Sequence, residues 1–354
     1  MSSVRLSLLA LALLAACDGN PFAPDPVTPE PEPDPGSIST LPGTTPARAS
    51  ASITRFEGKN VGPNDTDVNG NGFAFQNGQI GINPDNTFTV DNLAFDGDNV
   101  YARDTAPDGA LPTSVRAFAA AATTNDPMTG VAVDQMTYRA LYGASATGRS
   151  QFAIVRTGAY VPYGFGGFIY ARTGGVTLPT AGDASYTGTY SALRDADGVP
   201  ADGEKLTYVV GNMLMTIDFD DFNANESGVS KAGAVRGRVT GRRVYDLSGN
   251  DITQDVIDQI EADNNLSSNA MGGLLPVLVF DVGPGVIDTR GEIEGGIASN
   301  IPTADGGSEG FETGTYYAVL SGANADEVVG VIVTTSVVND VTLRETGGFI
   351  LLRQ

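Results

Sequence analysis

The chain has 354 residues, with 42 acidic and 20 basic side chains and a formal net charge of -22. That charge repels nucleic-acid phosphates and anionic lipid surfaces, so no nucleic acid is expected as a partner, whereas cationic partners suit it. Histidine and tryptophan are absent and cysteine occurs once, which excludes Ser-His-Asp triads, Cys-His dyads, HExxH zinc sites and histidine-ligated haem. Carboxylate-only chemistry such as a glycosidase pair stays open, but no signature marks one.

The N-terminus reads as an export signal. Arg5 supplies a positive charge, an apolar run follows from Leu6 to Ala16, and Leu14-Ala15-Ala16-Cys17 ends it. The run is too short to span a bilayer, which needs about 20 apolar residues. A cysteine after small residues resembles the bacterial lipoprotein box, in which that cysteine is lipidated and becomes the first mature residue. Residues 1–16 are then the signal peptide and Cys17 the lipid anchor. An unpaired cysteine is unusual in an exported protein, and lipidation accounts for it. Residues 17–50 continue as a linker. The alternation Thr28-Pro29-Glu30-Pro31-Glu32-Pro33-Asp34-Pro35 forms neither helix nor sheet ladder and predicts a like-charged polyproline spacer, rising about 3.1 Å per residue.

From residue 51 onward the signals are mostly β. Glycine is abundant and turn signals recur between short apolar runs. Strands are predicted at 87–90, 115–122, 136–142, 151–157 and 164–172, with the alanine run 119–122 open to a helical turn instead. In 207–219, Val209, Met213, Met215, Ile217 and Phe219 share one parity. In 234–243, Val235, Gly237, Val239 and Gly241 alternate with Arg236, Arg238, Thr240 and Arg242. In 286–297, Ile287, Thr289, Gly291 and Ile293 alternate with Asp288, Arg290, Glu292 and Glu294. This is the pattern of antiparallel sheet with one face in water. Inward glycines suit the strong coiling of a small closed barrel. Further strands are predicted at 328–336 and 347–353. One helix stands out: Ile252, Val256, Ile257 and Ile260 share a face, and Asp251 with Gln254 predicts a capping box.

The stretch Gly322-Ala323-Asn324-Ala325-Asp326-Glu327-Val328-Val329-Gly330, followed by Gly347-Gly348-Phe349, resembles the end of the transferrin-binding protein B-like β-barrel domain. Ala181-Gly182-Asp183-Ala184-Ser185-Tyr186-Thr187-Gly188 is similar to its opening, and Ile217-Asp218-Phe219 to the end of its second strand. The resemblance implies an all-β fold: a β-rich handle region over 51–178, then an eight-stranded antiparallel barrel over 179–354 with one helix in a connection. It also implies a lipoprotein of the Gram-negative envelope, outer-membrane anchored and open to surface display, that binds host proteins or other solutes. Ala323 stands where the family has proline, and no transferrin-binding loop has a counterpart here. Transferrin is therefore not expected as the ligand.

Four clusters invite a binding role. Asp65-Thr66-Asp67-Val68-Asn69-Gly70 matches the first half of an EF-hand loop, but its twelfth position is Gln76 where a bidentate glutamate is needed. We read it as a plain turn. Asp218, Asp220, Asp221 and Glu226 are read as a solvated loop rather than a cation site. Arg236, Arg238, Arg242 and Arg243 are read as pairing across strands with Asp288, Glu292 and Glu294 rather than as a binding stripe. Tyr160, Tyr163, Phe165, Phe168 and Tyr170 are read as a junction where handle and barrel share a core. No catalytic residue, metal or cofactor is expected. The expected function is non-enzymatic binding of a protein or small solute by a lipid-anchored barrel. The alternatives are a structural envelope lipoprotein and, behind it, a carboxylate-based hydrolase. Asp18 leaves the choice between inner and outer membrane open.

Overall fold

The computed structural model describes residues 41, 43–44, 48–57, 86–89, 100–120, 124–125, 128–130, 132–133, 138–157, 166–197, 206–220, 235–281 and 287–354. The signal peptide, Cys17, the proline spacer, the EF-hand-like loop, Asp221, Glu226, Tyr160, Tyr163 and Phe165 lie outside them.

The N-terminal strands are β1 (Ile53–Phe56), β2 (Phe88–Thr89), β3 (Val100–Asp104), β4 (Val115–Ala120), β5 (Thr124–Asn125), β6 (Ala132–Val133), β7 (Tyr138–Ala144), β8 (Ser150–Thr157) and β9 (Gly166–Arg172). Seven of them form one antiparallel sheet in the order β1-β9-β8-β7-β4-β3-β2, and β5 pairs with β6. The alanine run enters a strand, not a helical turn. The sheet curls: Phe88 on edge strand β2 reaches Tyr142 on β7, three strands away, with ring centroids 6.2 Å apart. That curl encloses Phe88, Tyr101, Phe118, Tyr138, Val155 and Ile169 as a core of its own.

The C-terminal strands are β10 (Asp183–Asp197), β11 (Leu206–Asp218), β12 (Val235–Tyr245), β13 (Leu278–Phe280), β14 (Glu292–Pro302), β15 (Ser308–Ser321), β16 (Glu327–Val338) and β17 (Val341–Arg353). They follow one another antiparallel, and β10 pairs with β17 to close an eight-stranded barrel. Closure removes every sheet edge, so the backbone donors and acceptors are paired within the wall. The period-2 residues of one parity point inward: Tyr186 and Tyr190 on β10, Met213 and Met215 on β11, Ile293 and Ile297 on β14, Tyr316 on β15, and Phe349 and Leu351 on β17 are all buried in a single cluster. Burying each such side chain stabilises the fold by about 1.5–3 kcal/mol before entropy is counted.

One irregularity rearranges that parity. The β11–β12 register shifts between Val210 and Asn212, opposite Gly241, which adopts φ +59°. An extra residue at a bulge turns all later side chains over. Val235 and Val239 face in before it, and Arg242 and Val244 face in after it. Arg242 therefore leaves the outward stripe predicted for it and enters the barrel.

The helix α1 (Thr253–Asp263) follows β12. It packs against β12 and β16, which lie four strands apart around an eight-stranded ring, so it spans the barrel mouth. Ile257 and Ile260 point into the barrel core. The predicted capping box does not form: Ile252 is the N-cap. Asp251 instead accepts the Thr253 N–H at 2.9 Å, and Gln254 donates to Asp258. In the last turn of the helix, the Glu261 carboxylate accepts the N–H groups of Asn269 and Met271, both at 2.8 Å, and pins the segment that leads to β13.

The curled sheet lies on the outer barrel wall. Ile53, Leu141, Phe152, Ile154, Phe168 and Tyr170 of the sheet form one cluster with Leu193, Tyr208, Val319, Val329 and Val331 of the wall. Of two adjacent glycines of β17, Gly348 sets its closeness and Gly347 makes room inside the barrel. A Cβ on Gly347 would fall 2.2 Å from the Tyr190 ring inside the barrel, and one on Gly348 would fall 2.2 Å from the Phe152 ring of the sheet outside it.

Candidate functional site

A barrel of this kind can hold a ligand in its interior or present one on its walls. Its interior is occupied. Toward the α1 end, Arg194, Arg242, Glu312 and Glu345 converge from four strands into a buried, charge-balanced cluster. Arg194 donates through Nη2 to Glu345 Oε2 at 2.6 Å. Arg242 donates through Nη1 to Glu345 Oε1 at 3.2 Å and to Glu312 Oε1 at 2.8 Å, and through Nη2 to Glu312 Oε2 at 2.5 Å. The Tyr190 hydroxyl donates to Glu345 at 2.8 Å, Ser299 donates to Glu312 at 2.6 Å, and Arg242 reaches the Pro276 carbonyl at 2.8 Å.

This cluster is satisfied within itself. Burial works against both charges, but Arg194 and Arg242 hold the Glu345 carboxyl below its usual range. Glu312 and Glu345 likewise hold the Arg242 guanidinium well above its own. An ionised carboxylate saturated by guanidinium donors is not a general acid, and a general acid is what a glycosidase pair requires. Below the cluster the interior is filled by aliphatic side chains and aromatic rings, including Met213, Met215, Ile293 and Leu351: Phe280 stacks on Tyr316 with centroids 3.8 Å apart, and Tyr190 covers Gly347. Burial raises the Tyr316 and Tyr190 hydroxyls, keeping both neutral.

The joint between sheet and wall is also charged. Arg55 of β1 donates to both oxygens of Glu292 on β14, at 2.6 and 3.1 Å. Arg290 adds Nε contacts to Glu292 at 3.0 Å and Asp288 at 2.7 Å. Arg172 of β9 donates to the carbonyls of Leu320 and Arg290, at 2.7 and 2.8 Å. Burial lowers its pKa to about 10 against the pull of Glu292 and Asp288. Arg156 of β8 sits 3.7 Å from Asp195 of β10 and donates to Thr346 of β17. Burial raises the Asp195 carboxyl despite that neighbour. At the end opposite α1, the turn after Gly322 joins in: Arg149 of the sheet donates to Asp326 at 2.9 Å, and the Tyr186 hydroxyl donates to the Ala325 carbonyl at 2.7 Å. A shallow depression there is lined by Pro179, Asn324, Asp326, Arg353 and Gln354. Its Arg353 guanidinium is spent on the Asn324 carbonyl at 2.6 Å.

The structure redistributes the predicted clusters. Asp288 and Glu292 are buried, not on a face in water. The curled sheet covers them, and the cations that neutralise them come from Arg55 and Arg290. The arginines of β12 do not pair with them, because β12 neighbours β11 and β13, not β14. Arg242 pairs inside the barrel, and Arg243 pairs with Asp251. Arg236 and Arg238 remain exposed. Asp218 and Asp220 cap a turn: Asp218 accepts the Asp220 N–H at 3.0 Å, and Asp220 accepts the Gly182 N–H at 3.2 Å. Phe168 and Tyr170 belong to the core shared by sheet and wall, as read from the sequence. Among the described residues no group of acidic side chains is arranged to hold a metal ion. Sequence reasoning missed the interior role of Glu312 and Glu345. The alternation Glu312, Gly314, Tyr316, Ala318, Leu320 was the available signal, but it marks glutamate as outward unless the partner arginine is known.

The wall itself is the reverse of a membrane barrel. An outer-membrane barrel turns an apolar band to lipid and polar groups inward. Here the interior is largely apolar and exposed arginines of β12 point out.

No family model matches this chain, and no curated protein matches it. Several solved structures are similar. Transferrin binding protein B of Haemophilus parasuis, a Tyr-167-Ala and Trp-176-Ala double mutant, is 11% identical over 76% of this chain and 40% of that one, with a TM-score of 0.32. Transferrin binding protein B of Neisseria meningitidis serogroup B is 10% identical over 70% of this chain and 36% of that one, with a TM-score of 0.29. The attachment invasion locus protein of Yersinia pestis is 11% identical over 49% of this chain and 97% of that one, with a TM-score of 0.20. The chain thus spans well under half the length of the transferrin binding proteins it matches.

Proposed function

We propose that this chain is a lipid-anchored protein of the bacterial cell envelope that binds a protein partner on its outer surface and carries out no chemistry. The observation that carries the reading is the filled barrel. Its mouth is spanned by α1, its upper interior is a neutral ion cluster, and its lower interior is packed with apolar side chains. Among the described residues such a core offers a small solute no interior pocket lined by apolar and a few convergent polar groups. What the fold offers instead is a rigid body: sheet and wall are joined by a shared apolar core and by ion pairs.

Cys17 supplies the anchor in this reading, and the proline spacer lets the body stand off the membrane. The acidic surface keeps it soluble among anionic lipids and polysaccharides. The test uses the full chain in its own cells. An alkynyl palmitate label should enter the wild type and not Cys17→Ser, and external protease should digest the domain on intact cells. A label that survives Cys17→Ser, or a domain digested only after the outer membrane is breached, removes the anchor or the display respectively. The binding half is tested with the purified Cys17→Ser chain on a surface. One envelope or host protein should be retained stoichiometrically, and retention of none removes it.

A further inference from the structure

Pairing is the rule for the arginines of this barrel. Arg194, Arg242, Arg243, Arg290 and Arg344 all close ion pairs, and Arg353 donates to a carbonyl. Among the described residues of the barrel, Arg236 and Arg238 alone do neither. They sit two apart on β12, outward and exposed. Asp281, an exposed residue just past β13, closes no ion pair with either of them.

The same piece of wall carries exposed apolar side chains. Val279 of β13 lies directly across from Arg238 and is 50% exposed, Val277 two residues earlier is 40% exposed, and Leu274 on the approach to β13 is 65% exposed. Leu214 of β11 flanks Arg238 on its other side. The curled sheet leaves Arg236, Arg238 and Val279 exposed: its strands pack mainly on β10, β15, β16 and β17, with further contacts to Tyr208 of β11 and Glu292 of β14. Apolar side chains left in water beside unpaired guanidinia form the kind of mixed patch found at protein interfaces, where arginine is enriched.

Resting on the reading that the chain binds a protein, we infer that the β12–β13 wall is its docking surface, and that the partner presents carboxylates around an apolar anchor. Charge complementarity argues for that occupant. Among the described residues, Arg236 and Arg238 point outward without a counter-ion, beside the single exposed carboxylate of Asp281, and so favour an acidic patch over a basic one.

Photo-crosslinking tests the surface in the full chain on its own cells. Val279 is replaced by p-benzoylphenylalanine, and Val337, an exposed residue at the end of β16, is replaced in a control. Irradiation should give one dominant adduct from position 279 and none from 337, with the captured peptide rich in Asp and Glu. Charge reversal by Arg236→Glu with Arg238→Glu should cut the adduct about tenfold, as the loss of an interface hot spot does. Chain abundance and unfolding midpoint should not change, because both side chains are exposed. An adduct indifferent to charge reversal overturns the inference, and so does one made to a second copy, to a basic peptide, to lipid or to glycan. An adduct from 337 and not 279 overturns the surface but leaves protein binding standing. No adduct from either position, together with no protein retained on the immobilised Cys17→Ser chain, overturns both.

Discussion

Substituting alanine for Gly348 should destabilise the protein by a definite and separable amount. Gly348 lies on the outward face of β17, and a Cβ there would come within 2.2, 2.3 and 2.5 Å of three carbons of the Phe152 ring. Ordinary contact begins near 3.4 Å, so the ring must retreat by roughly 1 Å. Its retreat is limited, because Phe152 is buried and its opposite edge already rests over Gly143, so closely that a Cβ there would fall 2.4 Å from the ring. Forcing a methyl into such packing costs about 2–3 kcal/mol. The backbone adds little, because φ at Gly348 is not positive. Urea unfolding followed by tyrosine fluorescence should show Gly348→Ala lowered by that amount. Phe152→Ala should itself cost about 3–5 kcal/mol. In the Phe152→Ala background, however, Gly348→Ala should be neutral or favourable, since the methyl enters the space the ring vacated. The coupling energy is then about 2–3 kcal/mol. A Gly348→Ala cost below about 0.5 kcal/mol, or the same cost with and without the ring, would refute the claim that this contact sets how closely the sheet lies on the barrel.

Other outcomes follow from the same geometry. Gly241→Ala introduces no clash, the nearest atom being 3.5 Å from the new Cβ, so only the left-handed backbone is penalised; a loss of about 1 kcal/mol is expected, with Gly241→Asn milder. Glu345→Ala removes the acceptor shared by Arg194, Arg242 and Tyr190 and should cost about 3–5 kcal/mol in chemical denaturation, because buried cations lose their partner. Replacing Arg194 and Glu345 together by methionine should cost much less. Asp195 has a raised carboxyl in the folded protein, set by burial and opposed by Arg156 and Arg344, with Glu57 adding to the rise. The folded state therefore holds that proton more tightly than the unfolded state, and stability is lost as pH rises through the folded pKa. Asp195→Asn removes this term. The variant should gain on the wild type at pH 7, and its advantage should shrink below the ordinary aspartate range; an advantage that instead grows on acidification would contradict the assignment.

Much of the fold was legible because a barrel strand half in water writes its geometry into alternate residues. Val209, Met213, Met215 and Ile217 name the inward face of β11 correctly, and the Ile257–Ile260 face finds the helix. Strand β13 left no mark, since three residues carry no period, and β3 and β15 were passed over. The capping box failed for a local reason: Asp251 sits one residue too early and is engaged by Arg243 and Thr253.

By itself the sequence determined what local chemistry decides. It excluded histidine-based catalysis, predicted an exported chain with Cys17 at a lipoprotein-like box, and set the strand parities from the alternation of side chains. It also marked Gly347-Gly348-Phe349 as special without saying why. Only the tertiary structure supplied the reason: one glycine admits Tyr190 from inside and the next admits Phe152 from a strand nearly 200 residues earlier. It likewise decided that Arg242 turns inward at the bulge, that Glu292 is covered by the curled sheet and paired with Arg55, and that Arg236 and Arg238 stay bare. Each of these depends on which distant segment lies alongside. Charge alternation along one strand specifies a face, but whether that face meets water, a second sheet or a counter-ion is set by contacts far apart in the chain.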